Sequence, residues 1–418
     1  MNKQIAFISE HASPLALLGG VDSGGQNVYV AETAKQLAQQ GFRIDIFTRW
    51  EDPLTERIVE WMPGIRVIHL KAGPLSILPK EELLQHMSSF RDEMLAFILK
   101  ENIRYSLIHA HFFMSALVAA DLKKILSIPF IVTFHALGAI RKIFQGSHDA
   151  FPPERLHIER RVAMEADHII AECPQDRTDL IRYYDADPNK IIIIPCGFSS
   201  AEFFPIDKAY ARQMLHIKQG EKILLQLGRM VPRKGVDNVI LALKFIKNCK
   251  CKLIVVGGEK ESMSNDPELK RLKKLAESEG VLNRIIFAGR KNRKQLKYYY
   301  SSADVFITTP LYEPFGITPL EAMACGTPVI GSNVGGIKFS VEDGETGFLV
   351  PPKDPAALAE KIEFLLKNDE LMTRMKNNAL KRVNKIFTWT NVCKQLSDVY
   401  TSILHKSLNP KIQLSVVR

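Results

Sequence analysis

Six cysteines in 418 residues are few, and Cys173, Cys196, Cys249, Cys251, Cys325 and Cys393 are scattered. Cys249 and Cys251 make a C-x-C pair with no second pair to complete a zinc site, so they read as ordinary strand-edge thiols in a reducing compartment. Long hydrophobic runs are missing as well. A run such as KIIIIPC (190–196) falls well short of the ~20 residues that cross a bilayer. The opening MNKQIAFIS reads directly as a strand and not as a charged-then-apolar secretory signal, so a cytoplasmic protein is expected. No G-x-G-x-x-G follows that first strand: after Gly19 and Gly20 the next glycines are Gly24 and Gly25, a spacing that argues against hydride transfer from a nicotinamide. His109 and His111 form an H-x-H without a third ligand at a suitable spacing, so no metal site and no cofactor are expected. Lys and Arg outnumber Asp and Glu by 56 to 46, a net charge of +10, but they are dispersed among acids, as in RLKKLAESEG (271–280). That balance suits an anionic ligand, and without aromatic stacking platforms it does not point to nucleic acid.

What the chain does have is alternation. In the first half, strand-like aliphatic runs fall at 5–9, 42–48, 65–70, 106–111, 130–135, 168–173 and 190–195; in the second half at 222–228, 251–258, 284–289, 305–309, 328–332 and 347–351. Helical runs separate them. Near-continuous β-branched strands of this kind belong to parallel sheets covered on both faces, so the fold class is α/β, two doubly wound Rossmann-like domains. The length also favours two cores over one. Turn formers and a proline in CGFSSAEFFPIDK (196–208) place the linker, giving a first domain over 1–200 and a second over 205–389. The helix expected at 390–406 is long enough to return to the first domain. Ligands of such folds bind outside the carboxyl ends of the strands, here in a central cleft that the two domains face.

Two segments carry candidate chemistry. GGVDSGGQNVYVAETAKQLAQQG (19–41) is a glycine loop between a strand and an amphipathic helix, a layout that aims backbone N–H groups at an anion. Val30, Ala34, Leu37 and Ala38 mark that helix's apolar face. In the second half, LGRMVPRKG (227–235) sets Arg229 and Lys234 on a loop before a helix, and YEPFGITPLEAMACGTPVIGSNVGG (312–336) carries Glu313 and Glu321 with seven residues between them.

With GGVDSGGQNVYV, HAHFFMSA, TFHALG, ADHIIAECPQD, PCGF, GRMVPRKG, EPFGITPLEAMACGTPVIGSNVGG and DGETGFLVPP in order from about residue 17 to 352, the chain resembles the retaining family 4 glycosyltransferases of the GT-B fold, most closely their sucrose-phosphate synthase and mycothiol-type branch. The resemblance implies a nucleoside diphosphate hexose as donor, UDP-glucose first among them. As its glycosidic bond breaks, the diphosphate gains negative charge. With no D-x-D pair on a loop after a strand to hold a metal, Arg229 and Lys234 match the family's fixed cations, and the backbone N–H groups of Phe315, Gly316, Ile317 and Thr318 at a helix start add donors. Gly24 and Gly25 would approach the phosphates from the other domain. Glu321 matches the carboxylate that accepts both ribose hydroxyls, a suitable pairing of two acceptor oxygens with two donors. Glu313 matches the position beside the hexose, and backbone around Gly289 and Arg290 the contacts to the base. His135 corresponds to the active-site histidine next to the donor sugar; His111 would line the cleft, with His109 packed beneath it. Retention needs no protein nucleophile if the leaving phosphate oxygen takes the acceptor's proton on the same face.

For the acceptor, relatives that use phosphosugars place cations after the FHALG strand and in an R-x-x-x-E helix. Here ALGAIRKIF offers Arg141 and Lys142, and ERLHIERR offers Arg155 ahead of Glu159, while QGSHDAFPPE (145–154) departs from the expected pattern. The partners expected are thus a nucleotide sugar and a small anionic acceptor. Three other readings share these residues: a transferase acting on a lipid acceptor with peripheral membrane contact, a sugar-nucleotide 2-epimerase, and a silent sugar-nucleotide sensor. Intact Arg229, Lys234, Glu313, Glu321 and His135 argue against the last.

Overall fold

The computed structural model describes residues 3–16, 24–258 and 266–408. The expected glycines Gly19 and Gly20 lie outside the described residues. Of those described, 3–16, 24–195 and 389–408 form a first compact unit and 196–388 a second.

The first unit is built on β1 (Gln4–Ile8), β2 (Arg43–Arg49), β3 (Ile58–Met62), β4 (Ile65–Leu70), β5 (Leu107–His111), β6 (Phe130–Thr133), β7 (His168–Ala171) and β8 (Ile191–Ile193), in the spatial order β3-β4-β2-β1-β5-β6-β7-β8. All neighbours are parallel except β3 and β4. The sequence reading misses β3 for a physical reason. It is an edge strand with a single partner, so IVEWM stays half exposed and lacks the aliphatic continuity of a buried parallel strand. The second unit holds β9 (Lys222–Leu227), β10 (Cys251–Val256), β11 (Ile285–Gly289), β12 (Val305–Thr308), β13 (Val329–Ser332) and β14 (Gly347–Val350), all parallel, in the order β11-β10-β9-β12-β13-β14. In each sheet the unit's first strand sits centrally and the order reverses beside it, between β1 and β5 and between β9 and β12. Those reversals open a crevice at the strands' carboxyl ends.

Helices cover both sheets with aliphatic faces. Tyr29, Val30, Thr33, Ala34 and Leu37 of the helix Gly25–Gln39 are buried, while Ala38 is only partly so. The six cysteines are unpaired thiols, five of them buried. Among the described residues no helix is long and apolar enough to cross a membrane.

The helix Trp389–Leu408 returns to the first unit and packs on Gly25–Gln39. Its Tyr400 hydroxyl lies 2.6 Å from Nδ1 of buried His109, whose Nε2 lies 2.9 Å from Thr133 Oγ1. Trp389 meets the edge of Tyr29 at 5.6 Å. Where the chain leaves for the second unit and where it comes back, Phe198 N–H donates to the Phe387 carbonyl at 2.8 Å.

Removing the Tyr400 hydroxyl leaves His109 Nδ1 buried without that partner, so Tyr400→Phe should destabilise the first unit by about 1–3 kcal/mol. Trp50, Trp61 and Trp389 are the three tryptophans, all in the first unit, so urea unfolding followed by tryptophan fluorescence reads that unit alone.

Candidate functional site

In the second unit the loop after β9 is folded onto the end of β12. Pro232–Lys234 make a single helical turn closed by Gly235 at φ +66°, and Thr309 Oγ1 donates to the Gly235 carbonyl at 2.9 Å. A side chain at Gly235 would collide with the Thr309 carbonyl oxygen, so only glycine fits this approach. Leu311 N–H donates to the Arg233 carbonyl at 2.9 Å, which fixes one loop against the other. Across this junction Lys234 Nζ donates to Glu313 Oε2, and Arg233 Nη1 stands 3.8 Å from the same oxygen. Both partners are largely buried, at 20% and 12% side-chain exposure.

Burial lowers the Lys234 ammonium to about 8, against the upward pull of Glu313 and with further lowering by Arg233 and Arg229. Burial alone would raise Glu313; the adjacent Lys234 and Arg233 outweigh it and hold the carboxyl below its ordinary range. Arg229 is exposed on the same loop.

The segment after Glu313 turns through Gly316, at φ +87°, into the helix Ile317–Ala324. The first turn of a helix has N–H groups without intrahelical partners, so Ile317 and Thr318 sit where such donors collect. Gly336 N–H reaches back to the carbonyls of Glu313 at 3.2 Å and Pro314 at 3.0 Å, and a side chain at Gly335 would collide with the Glu313 carbonyl. Two glycine-bearing loops thus pin Glu313 from opposite sides. Glu321, one turn along and 3% exposed, accepts from Arg293 Nη1 at 3.1 Å and from the Tyr300 hydroxyl at 2.8 Å. Burial raises its carboxyl above the ordinary range despite both donors. Arg293 also donates to Glu202 at 2.7 Å and lies over the Phe203 ring at 4.9 Å. Arg290 follows the edge strand β11 and is partly buried.

In the first unit the carboxyl ends of β5, β6 and β7 bring histidines and a carboxylate together. His135 has φ +57°, and Ala136 N–H bonds back across it to the Phe134 carbonyl at 2.6 Å, a tight and strained three-residue turn. Its Nδ1 lies 3.0 Å from Glu172 Oε1 and its Nε2 3.2 Å from His111 Nδ1. The Tyr29 ring meets His135 edge-on at 4.9 Å. Beside β1, Gln26 of the glycine-loop helix donates to the His111 carbonyl and to Ser9 Oγ, both at 3.3 Å. Gly24 caps that helix, its N–H held by Asn27 Oδ1 at 2.9 Å, and a side chain there would meet open space. Gly25 opens the helix itself.

The sequence profile of Glycosyltransferase Family 4 matches residues 23–202, and that of Glycosyl transferases group 1 matches 207–382. A D-inositol 3-phosphate glycosyltransferase of Corynebacterium efficiens is 34% identical over 406 residues, 95% of each chain. One from Acidothermus cellulolyticus is 34% identical over 413 residues, 96% of this chain and 91% of its own. The structure of sucrose-phosphate synthase from Thermosynechococcus elongatus matches with a TM-score of 0.89 and 34% identity, over 96% of this chain and 99% of that one. The chain belongs to the family 4 glycosyltransferases. It has their GT-B fold of two Rossmann-like α/β domains.

Within this glycosyltransferase, Lys234, Glu313, Phe315, Gly316, Ile317, Thr318 and Glu321 lie on adjoining loops and one helix, with Arg229 on the loop that carries Lys234. Two expectations need correction. His111, read as lining a cleft, is fully buried at the end of β5. Arg155, read as an open cation for an acceptor, is 2% exposed: its Nε donates to Glu159 at 2.8 Å, its Nη2 to the Ala136 carbonyl at 2.6 Å, and its guanidinium lies 4.4–4.9 Å from the rings of Phe112, Phe113 and Phe151. The R-x-x-x-E pattern is an i,i+4 ion pair that anchors the backbone just after His135. Arg141 is engaged by Asp149 at 2.9 Å, and Lys142 beside it is exposed. The insertion that seemed foreign supplies both Asp149 and Phe151. Missed altogether were Glu172, Arg293 and Tyr300. Glu172 ends a strand in a quoted motif, a position that could have marked it; Arg293 and Tyr300 carry no signal at sequence level.

Two measurements check this geometry. Arg155→Ala strands Glu159 in the interior, and a loss of about 3–5 kcal/mol in first-unit stability is expected by tryptophan fluorescence. Glu313→Gln removes the group that raises the Lys234 ammonium, so by NMR of labelled lysine side chains Lys234 should titrate below about 8, with Lys234→Arg assigning the signal.

Proposed function

We propose that this glycosyltransferase moves a hexose, with retention and without a metal, from a nucleoside diphosphate sugar, UDP-glucose foremost, to a hydroxyl of a phosphorylated sugar or polyol. The observation that carries the donor half is the junction of Lys234, Glu313 and the start of the helix Ile317–Ala324 at the ends of β9 and β12. A diphosphate bound there would meet Lys234, Arg229 and the N–H groups of Phe315, Gly316, Ile317 and Thr318. As the glycosidic bond breaks, these fixed donors stabilise the charge that grows on the leaving oxygen, the work that a divalent metal performs elsewhere. The diphosphate would also hold Lys234 protonated, since an adjacent anion opposes the lowering by burial.

Glu321 would accept the ribose hydroxyls, its oxygens already set by Arg293 and Tyr300. Glu313 would contact the hexose while remaining the counter-ion of Lys234. Arg290 and its neighbours would meet the base, and His135 the sugar. Gly24 and Gly25 leave the start of their own helix without side chains, as close approach of an anion to its N–H groups would require. The attacking hydroxyl would give its proton to the leaving phosphate oxygen on the same face, which accounts for retention without a protein nucleophile.

For the acceptor, one similar protein is named for a phosphorylated polyol, D-inositol 3-phosphate, and another for making a phosphorylated sugar, sucrose phosphate. Lys142 and Arg141 are the first-unit cations to consider, since Arg155 is enclosed. One observation favours a second reading. Ile143 and Phe144, next to Lys142, are 57% and 47% exposed, the apolar-beside-basic surface that a lipid-carried acceptor at a membrane would use.

The test is transfer measured by mass spectrometry from UDP-, ADP- and GDP-hexoses to polyols with and without their phosphate, and from the same donors to lipid vesicles. Transfer to the phosphate ester alone, undiminished by excess EDTA, is the expected result. Equal use of the neutral polyol, or activity only with vesicles, would reject the phosphorylated acceptor; loss in EDTA restored by manganese would reject the fixed-cation donor site. Glu321→Ala should weaken UDP binding by about 1.5–3 kcal/mol, read by calorimetry.

A further inference from the structure

Glu172, His135 and His111 form a row across the carboxyl ends of β7, β6 and β5. The His135 and His111 rings are nearly parallel, 21° apart with centroids at 5.4 Å, and Tyr29 closes on both, its centroid 4.9 Å from one and 5.7 Å from the other. Both side chains at the head of the row are enclosed, His135 at 8% exposure and Glu172 at 4%. The backbone turn at His135 is strained, and Arg155 grips the carbonyl immediately after it. Enclosure and the held backbone together limit how far the rings can turn.

We propose that Glu172 is a positioning residue that fixes His135 as its Nδ1–H tautomer and, through His135 Nε2, fixes His111 with its proton on Nδ1. The number of protons available to the row fixes where each one sits. An ionised carboxylate only accepts, so the 3.0 Å contact to Glu172 Oε1 requires a proton on His135 Nδ1. A neutral imidazole has one proton, which leaves His135 Nε2 with a lone pair. That lone pair lies 3.2 Å from His111 Nδ1, which must then be the donor. His111 has no second proton, so its Nε2 is bare, and Nε2 is the His111 nitrogen that is buried without a hydrogen-bond partner among the described residues. Burial pushes His111, and His109 beneath it with ring centroids 4.2 Å apart, well below the ordinary imidazole range, in keeping with neutral rings. Asp176 also faces this end of β7, accepting from the Glu172 N–H at 3.2 Å.

The consequence for chemistry rests on the reading of His135 as neighbour of the donor sugar. A histidine locked in this tautomer offers that sugar a lone pair and no N–H, so a hydroxyl of the hexose must donate to it. Glu172 acts only through His135 and touches no substrate.

The experiment uses the full chain with 15N-labelled histidine. Long-range 1H–15N spectra should show His135 with a protonated Nδ1 and an unprotonated Nε2, and His111 likewise. Glu172→Met, similar in length but unable to accept, should move the proton off His135 Nδ1 in much of the population. It should also lower kcat about ten-fold or more while the donor KM stays within about two-fold. Glu172→Gln, which accepts through its amide oxygen, should restore the tautomer and most of kcat. Urea unfolding by tryptophan fluorescence confirms that each variant is folded. A proton on His135 Nε2 in the unaltered protein, or ring-nitrogen shifts unmoved in Glu172→Met, overturns the proposal. If the tautomer moves as expected and kcat does not, the tautomer assignment stands and the placement of His135 beside the reacting sugar is what fails.

Discussion

Burying Glu313 against Lys234 joins two loops that stand 79 residues apart in the chain, and the arrangement of the second unit's site follows from that pair. Neither charge is stable alone at such depth: the amine would shed its proton and the carboxyl would keep one. Together they stay ionised, and they do so at the ends of the two central strands, where the order of the sheet reverses. The glycines around them follow from the same constraint. Gly235, Gly335 and Gly336 are where one loop's backbone lies directly on another's, because the ion pair draws the loops together too closely for side chains.

The first unit solves a similar problem with neutral rings. Its strand ends carry His109, His111 and His135 in contact, and burial keeps His109 and His111 uncharged by withholding water. Carboxylates appear at the border of the cluster, Glu172 on His135 and Glu159 under the backbone that follows it. Arg155 belongs to this framework. Its charge is spent on Glu159 and on the faces of three phenylalanines, so it organises the turn at His135 in place of meeting a ligand.

Much of this was legible in the sequence, unevenly. Parallel strands buried on both faces announce themselves as aliphatic runs, and the motif around Glu313 and Glu321 marks its own turn and helix. The edge strand Ile58–Met62 did not show, because a strand with one neighbour has no reason to be uniformly apolar. Charged residues were the harder case. ERLHIERR has the composition of a solvated helix face, and nothing local reveals that Phe112, Phe113 and Phe151, from other parts of the chain, close over Arg155. For the same reason Arg293 and Tyr300 were invisible: what they do depends on a carboxylate that the fold brings to them from the next helix.

The return of Trp389–Leu408 to the first unit reverses the usual order of assembly during synthesis. Domains generally form as units, with the N-terminal one first to complete. Here the described residues of the second unit form one stretch, 196–388, complete once Thr388 has left the ribosome. The first unit, made earlier, still lacks the helix that covers Gly25–Gln39 and supplies the hydroxyl to His109. Its apolar face stays open until that helix arrives, so the older half of the protein is the later one to close.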